Sequence, residues 1–209
     1  MYRIPQKGTQ CLFLRYYPWF GGGHPEWHIM ADVLPLLDGD CWFNTMDGTL
    51  HEINGQWDLI IAHPPCTYLS NCGAARLYRK VDGETYIKRE RFEKGLDAKE
   101  FFLKCLNANC QKIAVENPIP SGIYRLPKRT QTIQPYEFGD PYSKKTYLWL
   151  KGLPKLRPTN IVQPLCSWVN GGSKKADGTP RNQQGIKWNA GERSKTFPGI
   201  AKAMAEQWG

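Results

Sequence analysis

Long apolar runs are the first thing this chain lacks. Nothing in its 209 residues approaches the roughly 20 consecutive apolar positions that a bilayer-spanning helix needs. The opening Met1-Tyr2-Arg3-Ile4-Pro5 has no hydrophobic stretch of the signal-peptide kind, so a cytoplasmic protein is expected. Paired cysteine spacing is missing too. The seven cysteines are an odd number and, with no secretory signal, read as reduced thiols rather than a disulfide framework. None forms a C-x-x-C pair, and the spacings Cys66 to Cys72 and Cys105 to Cys110 are poor for structural zinc, so no metal is expected. Acidic residues are the minority, with 19 Asp and Glu against 28 Lys and Arg and a formal net charge of +9. That imbalance concentrates polyanions such as DNA or RNA near the surface. Internal repeats and heptad runs are absent, and the length suits a single domain with one core.

What is present reads as alternating strands and helices. Residues 1–27 are expected to be an irregular, truncated entry: Leu12 to Tyr17 has strand-like aromatics, but Gly21-Gly22-Gly23 follows and no helix pattern appears. His28 to Asp32 reads as a short strand and Val33 to Leu37 as a helical turn. Cys41 to Phe43 and Thr49 to Ile53 flank Asp47-Gly48, a hairpin signal, and residues 40–55 are expected to be a small surface insertion. Asp58 to Ala62 is continuously apolar after its first residue and is closed by Pro64-Pro65, as a buried parallel strand would be. Residues 91–107 predict a helix with Phe92, Leu96, Phe101, Phe102, Leu103 and Leu106 inward, and Lys112 to Val115 a second buried strand. Strand, helix, strand is a βαβ unit, which predicts an α/β protein with a mostly parallel, doubly wound sheet. Thr130 to Gln134 and Lys145 to Leu150 read as further strands, and Pro154 to Glu192 as loop. A helix is predicted over Pro198 to Trp208, with Ile200, Ala203, Met204 and Gln207 on one stripe.

In open α/β sheets, sites lie beyond the carboxyl ends of the strands. Two such ends carry polar chemistry here: His63-Pro64-Pro65-Cys66-Thr67 and Glu116-Asn117-Pro118. Singly, Cys66 is an ordinary loop cysteine and Glu116 an ordinary turn residue. Together they supply a soft nucleophile for C6 of a pyrimidine and an acid for N3, the two groups that addition to such a ring requires.

Pro65-Cys66 after a buried strand, Glu116-Asn117-Pro118 after the next, and a closing Phe197-Pro198-Gly199-Ile200-Ala201 resemble the DNA cytosine-5-methyltransferases. That family carries Pro-Cys, Glu-Asn-Val and a C-terminal helical motif in the same order. From His28 to Gly209 the chain is more closely similar to short phage and prophage proteins of cytosine-methyltransferase-like type. The likeness is carried by Trp57 to Thr67, Ala114 to Pro118, Ile133 to Gly139 and Lys195 to Ala201. It implies a Rossmann-like methyltransferase fold and transfer of a methyl group from S-adenosylmethionine to C5 of a cytosine flipped out of DNA. Cys66 would add to C6, and Glu116, with Asn117 beside it, would serve N3. The resemblance also implies cofactor contacts from Asp32, Pro64 and Pro65, and DNA contacts from Lys144 and Lys145. In the basic stretch 151–195, Arg193 and Lys195 are candidates for phosphate contact on a DNA enzyme, and the residues alone leave them open as part of a solvated loop. The residues alone leave Asp32 open as a helix N-cap and the lysines as charges at a strand edge. Departures from the family are a strand and glycine loop not found before Gly21, Thr67 in place of glutamine, Pro118 in place of valine, and no large target-recognition domain.

Other chemistries fit less of the chain. His24-Pro25-Glu26 and Pro65-Cys66 begin the pattern of a zinc nucleobase deaminase, but Leu69 stands where the second cysteine belongs and Cys72 comes three positions later. An amino-methyltransferase would carry an acid or Asn, Pro-Pro and an aromatic, whereas His63 precedes Pro64-Pro65 and Cys66 follows. A catalytically degenerate methyltransferase fold acting as a nucleic-acid or partner-binding module stays open beside the enzyme.

Overall fold

The computed structural model describes residues 58–64, 66–74, 76–165 and 196–209, and the backbone of short strands at 11–15, 28–33, 42–45, 50–52, 169–170 and 186–187. The chain divides into two compact units, one of Gln6–Gln131 with Tyr147–Lys155, the other of Met1–Pro5, Thr132–Thr146 and Leu156–Gly209.

The first unit is built on the apolar run Leu59-Ile60-Ile61-Ala62. All four residues are buried, which requires cover on both faces and suits the middle of a parallel sheet. This strand, β5 (Leu59–His63), has parallel neighbours on both sides. On one side lies β1 (Cys11–Arg15), itself parallel to β2 (His28–Val33); on the other lies β8 (Ile113–Pro118). Next to β2 run β3 (Trp42–Thr45) and β4 (Leu50–Glu52), both antiparallel to their neighbours. The sheet order is β4-β3-β2-β1-β5-β8 and then β10 (Thr146–Lys151), with β9 (Gln131–Ile133) beyond it. The result is a mixed α/β protein with a mostly parallel central sheet.

Two expectations change here, and a third is refined. The entry is not wholly irregular, because residues 11–15 form a central strand with parallel partners on both sides; residues 1–10 and 16–27 lie outside the described residues. Val33 ends a strand instead of starting a helical turn, so Asp32 is no N-cap. The hairpin flanking Asp47-Gly48 pairs with β2 and extends the sheet at that edge.

After a single helical turn, α1 (Asn71–Ala74), helix α2 (Arg89–Leu106) covers one face of β5 and β8. Ala98, Phe101, Phe102 and Cys105 share a core with Ile60, Ala62, Ile113, Val115 and Trp149, and the Phe102 and Trp149 rings meet edge to face at 4.8 Å. Gly95, Ala98, Phe102 and Cys105 mark the buried stripe at helical spacing. Leu96, expected inward, is 43% exposed because it stands one residue, about 100° of helical turn, off that stripe. At Gly95 the Tyr124 ring lies so close that a Cβ would enter it. Gly95→Ala should therefore cost about 1–3 kcal/mol by overpacking, read as a lowered thermal midpoint.

Between β5 and α2 the sequence reading missed a hairpin, β6 (Tyr78–Val81) and β7 (Glu84–Ile87), paired antiparallel around Asp82-Gly83. Both turn residues have positive φ, 51° and 83°, the geometry that makes Asp-Gly a hairpin signal. No helix among the described residues is long and apolar enough to cross a membrane.

In the second unit, helix α3 (Pro198–Trp208) buries Ile200, Ala203, Met204 and Trp208. Gln207, expected on the buried stripe, instead exchanges two 2.9 Å hydrogen bonds with the Arg157 backbone. Gly199 packs on the Phe138 carbonyl so closely that a Cβ would collide with it, and its N–H donates to Asp140 Oδ2 at 2.8 Å. The motifs Ile133 to Gly139 and Phe197 to Ala201 thus meet through backbone. The stretch expected as loop also contains a short parallel pair, β11 (Val169–Asn170) with β12 (Ile186–Lys187).

Burial raises the Asp140 carboxyl above its ordinary value, against the opposing hydrogen bond from Gly199. A raised folded-state pKa favours the protonated form, so this contribution is present at low pH and is lost as pH rises through the folded value. Asp140→Asn keeps an acceptor for Gly199. It should gain in thermal midpoint relative to the parent between pH 4 and pH 7, and a constant difference across that range would count against the burial effect.

Candidate functional site at the carboxyl ends of β5 and β8

The register Ile60 to Ile113, Ile61 to Ala114, Ala62 to Val115 brings His63 opposite Glu116 on the next rung. Neighbours in register on adjacent strands project to the same face. His63 Nδ1 lies 3.0 Å from Glu116 Oε2, with the two side chains 15% and 17% exposed. One residue further, Asn117 is buried, and its Nδ2 donates to the Pro64 carbonyl at 3.2 Å. Among the described residues, Asn117 Oδ1 is also buried and has no hydrogen-bond partner, a costly arrangement to keep in a folded protein.

The two strand-end segments are joined again further out. Asn71 N–H donates to the Ile119 carbonyl at 2.8 Å and Ser121 N–H to the Leu69 carbonyl at 2.7 Å. After Cys66 the chain winds tightly. Ser70 N–H donates to the Cys66 carbonyl at 2.8 Å, and Gly73 and Ala74 donate to the Ser70 carbonyl at 3.0 and 3.1 Å. Gly73 has to be glycine-small, because a Cβ there would strike the Thr67 carbonyl. From α2, Arg91 Nη2 donates to that same carbonyl at 3.1 Å, and its guanidinium lies 4.8 Å from the Tyr68 ring centre. Cys66 is a half-buried, reduced thiol on this winding.

Of the residues singled out from sequence, Pro64, Glu116 and Asn117 come together here, and Cys66 follows two residues after Pro64 on the same strand end. Asp32 stands at the carboxyl end of β2, in register with Arg15 of β1, which is in register with His63. Asp32 and His63 are thus two strand spacings, about 10 Å, apart in the backbone. Lys144 and Lys145 belong to the other unit: Lys144 Nζ sits 5.5 Å from the Phe197 ring centre, and Lys145 is exposed. Pro65, Arg193 and Lys195 lie outside the described residues. Among the described residues no group of three or more His, Cys, Asp or Glu is placed to hold a metal ion.

The sequence reading quoted His63 without giving it a role. Its position one residue past Ala62, as Glu116 is one past Val115, is the signal that could have found it once the two strands were aligned.

The site therefore combines a thiol, a carboxyl and an imidazole at adjacent strand ends. No protein-family model matches the chain, and no curated protein matches it.

Proposed function

We propose that this chain is a Rossmann-like DNA methyltransferase acting at C5 of cytosine, with Cys66 as nucleophile and Glu116 as the group that serves N3. The observation that carries the reading is the side-by-side placement of the Pro-Cys and Glu-Asn segments at the ends of adjacent parallel strands, tied by Asn117 Nδ2 to the Pro64 carbonyl at 3.2 Å. Addition to a pyrimidine needs a thiolate at C6 and a proton for N3 on the same ring, so the two groups must share one strand edge. The strand order supports it as well. β1 has β2 on one side and β5 on the other, which makes its carboxyl end a topological switch point, where α/β sheets bind ligands.

S-adenosylmethionine, when bound, supplies an electrophilic methyl group. Asp32 would hold its adenosine part, and Pro64 and Pro65 would border it next to Cys66. The net charge of +9 favours DNA, and Lys144, Lys145, Arg193 and Lys195 are the candidates for phosphate contact. Flipping the base would cost a few kcal/mol, offset by contacts in the pocket. A cytoplasmic location belongs to the same reading.

Calorimetry with S-adenosylmethionine tests the proposal at its cofactor, and methyl transfer to mixed-sequence duplex DNA tests it at its product. Micromolar binding, about 8 kcal/mol, together with 5-methylcytosine in the product is the expected result. No heat at millimolar cofactor would make a catalytically degenerate binding module the better account.

A further inference from the structure

His63 has no part in the chemistry set out above, yet it makes a direct side-chain contact with Glu116. Its Nδ1 is 3.0 Å from Glu116 Oε2, and both side chains are largely buried, at 15% and 17% exposure. In its Nδ1–H tautomer the imidazole donates to Oε2, which accepts equally when the carboxyl carries its proton on Oε1. The fold does not need this contact to align the two strand ends. Asn117 to Pro64, Asn71 to Ile119 and Ser121 to Leu69 already join them. What the contact sets is the direction of a carboxyl on a side chain with three torsions. We infer that His63 is a positioning residue, holding the Glu116 carboxyl where it meets N3 of the cytosine while Cys66 meets C6. The inference rests on the proposed function.

In the step concerned, the Cys66 Sγ–C6 bond forms, the C5=C6 pair moves to C4–C5, and the C4=N3 pair moves to N3. N3 takes the carboxyl proton of Glu116. With Oε2 accepting from His63, that proton sits on Oε1. The resulting enamine takes a proton from water at C5. Loss of the original C5 hydrogen, return of the N3 proton to Glu116 and departure of the thiolate then restore cytosine. The net change is exchange of the C5 hydrogen with solvent, with nothing oxidised or reduced and no cofactor consumed.

That exchange is the test. A random-sequence DNA duplex tritiated at cytosine C5 is incubated with the protein without cofactor, and tritium release is measured. His63→Ala should slow release about 10- to 100-fold, the usual cost of losing a group that orients a reacting one, with KM for the duplex within about threefold of the parent. His63→Asn, whose side-chain N–H can reach the same carboxylate oxygen, should recover most of the rate. In a Glu116→Gln background His63→Ala should cost nothing further, because the two residues act as one unit. If His63→Ala melts below the assay temperature, the comparison of His63→Asn with His63→Gln replaces it, and equal rates for those two overturn the inference. Release by His63→Ala within about twofold of the parent, or a full additional loss in the Glu116→Gln background, overturns the role of His63 and leaves the C5 reading standing. No release by the parent, with no Cys66 adduct on 5-fluorocytosine DNA, overturns the C5 reading and this inference with it.

Discussion

Cys66→Ser is expected to abolish methyl transfer and covalent trapping on 5-fluorocytosine DNA, while circular dichroism and the thermal midpoint stay close to the parent. A serine hydroxyl is not ionised near neutral pH and is a poor partner for C6, whereas a thiol is partly thiolate and intrinsically nucleophilic. The loss should be about 10³-fold or more, which is about 4 kcal/mol of transition-state stabilisation. The fold should survive because Cys66 is only half buried and the winding after it is held by its carbonyl, through Ser70 N–H at 2.8 Å, and not by its sulfur alone. Trapping assays with the parent and the variant on one fluorinated duplex decide the matter. Full activity in Cys66→Ser would remove the covalent mechanism altogether.

The second large effect is expected at Asn117, and it is one of stability. Asn117→Asp replaces a buried Nδ2–H donor with a carboxyl oxygen facing the Pro64 carbonyl at 3.2 Å. A buried carboxylate with no donor is costly, so about 3 kcal/mol or more should be lost near neutral pH. For a chain of this size the midpoint should fall by about 6–12 °C. The introduced carboxyl folds more readily protonated, which raises its folded pKa. The variant should therefore lie nearest the parent at low pH and fall further behind as pH rises from 5 to 8. A pH-independent difference, or one below about 1 kcal/mol, would mean that the tie between the two strand-end segments is not a buried hydrogen bond. The activity of the Asn117→Asp variant at 20 °C, below its midpoint, then reports how much the tie matters for the site as distinct from the fold.

The strand at 59–63, the helix at 89–106 and the C-terminal helix at 198–208 were legible because each states its burial pattern locally: a continuous apolar run, apolar residues at helical spacing, and proline at the first turn. The hairpin over 78–87 was legible in principle. Asp82-Gly83 is the same signal that located the 42–52 hairpin, but the strands around it are exposed throughout and so carry no core pattern. β1 was misread because Cys11–Arg15 is short, and only its two parallel partners mark it as central. Leu96 was misplaced because hydrophobicity alone does not say which stripe of a helix faces the sheet; here Gly95 and Ala98 do so by being small.

The sequence by itself determined the chemistry on offer. It places a thiol and a carboxyl after two buried strands, with proline stiffening the loop that carries the thiol and an excess of base over acid across the chain. Tertiary structure decided which groups meet. Adjacency and register of β5 and β8 bring His63 onto Glu116 and Asn117 onto Pro64, and insertion of β1 between β2 and β5 puts Asp32 two strands from His63. The physical reason is range. Apolar periodicity and turn residues act over a few neighbours and are written in the local sequence. Strand pairing instead joins residues 53 apart through hydrogen bonds between backbone groups common to every residue, and the choice of partner is made by how the whole sheet and its helix bury their apolar faces together.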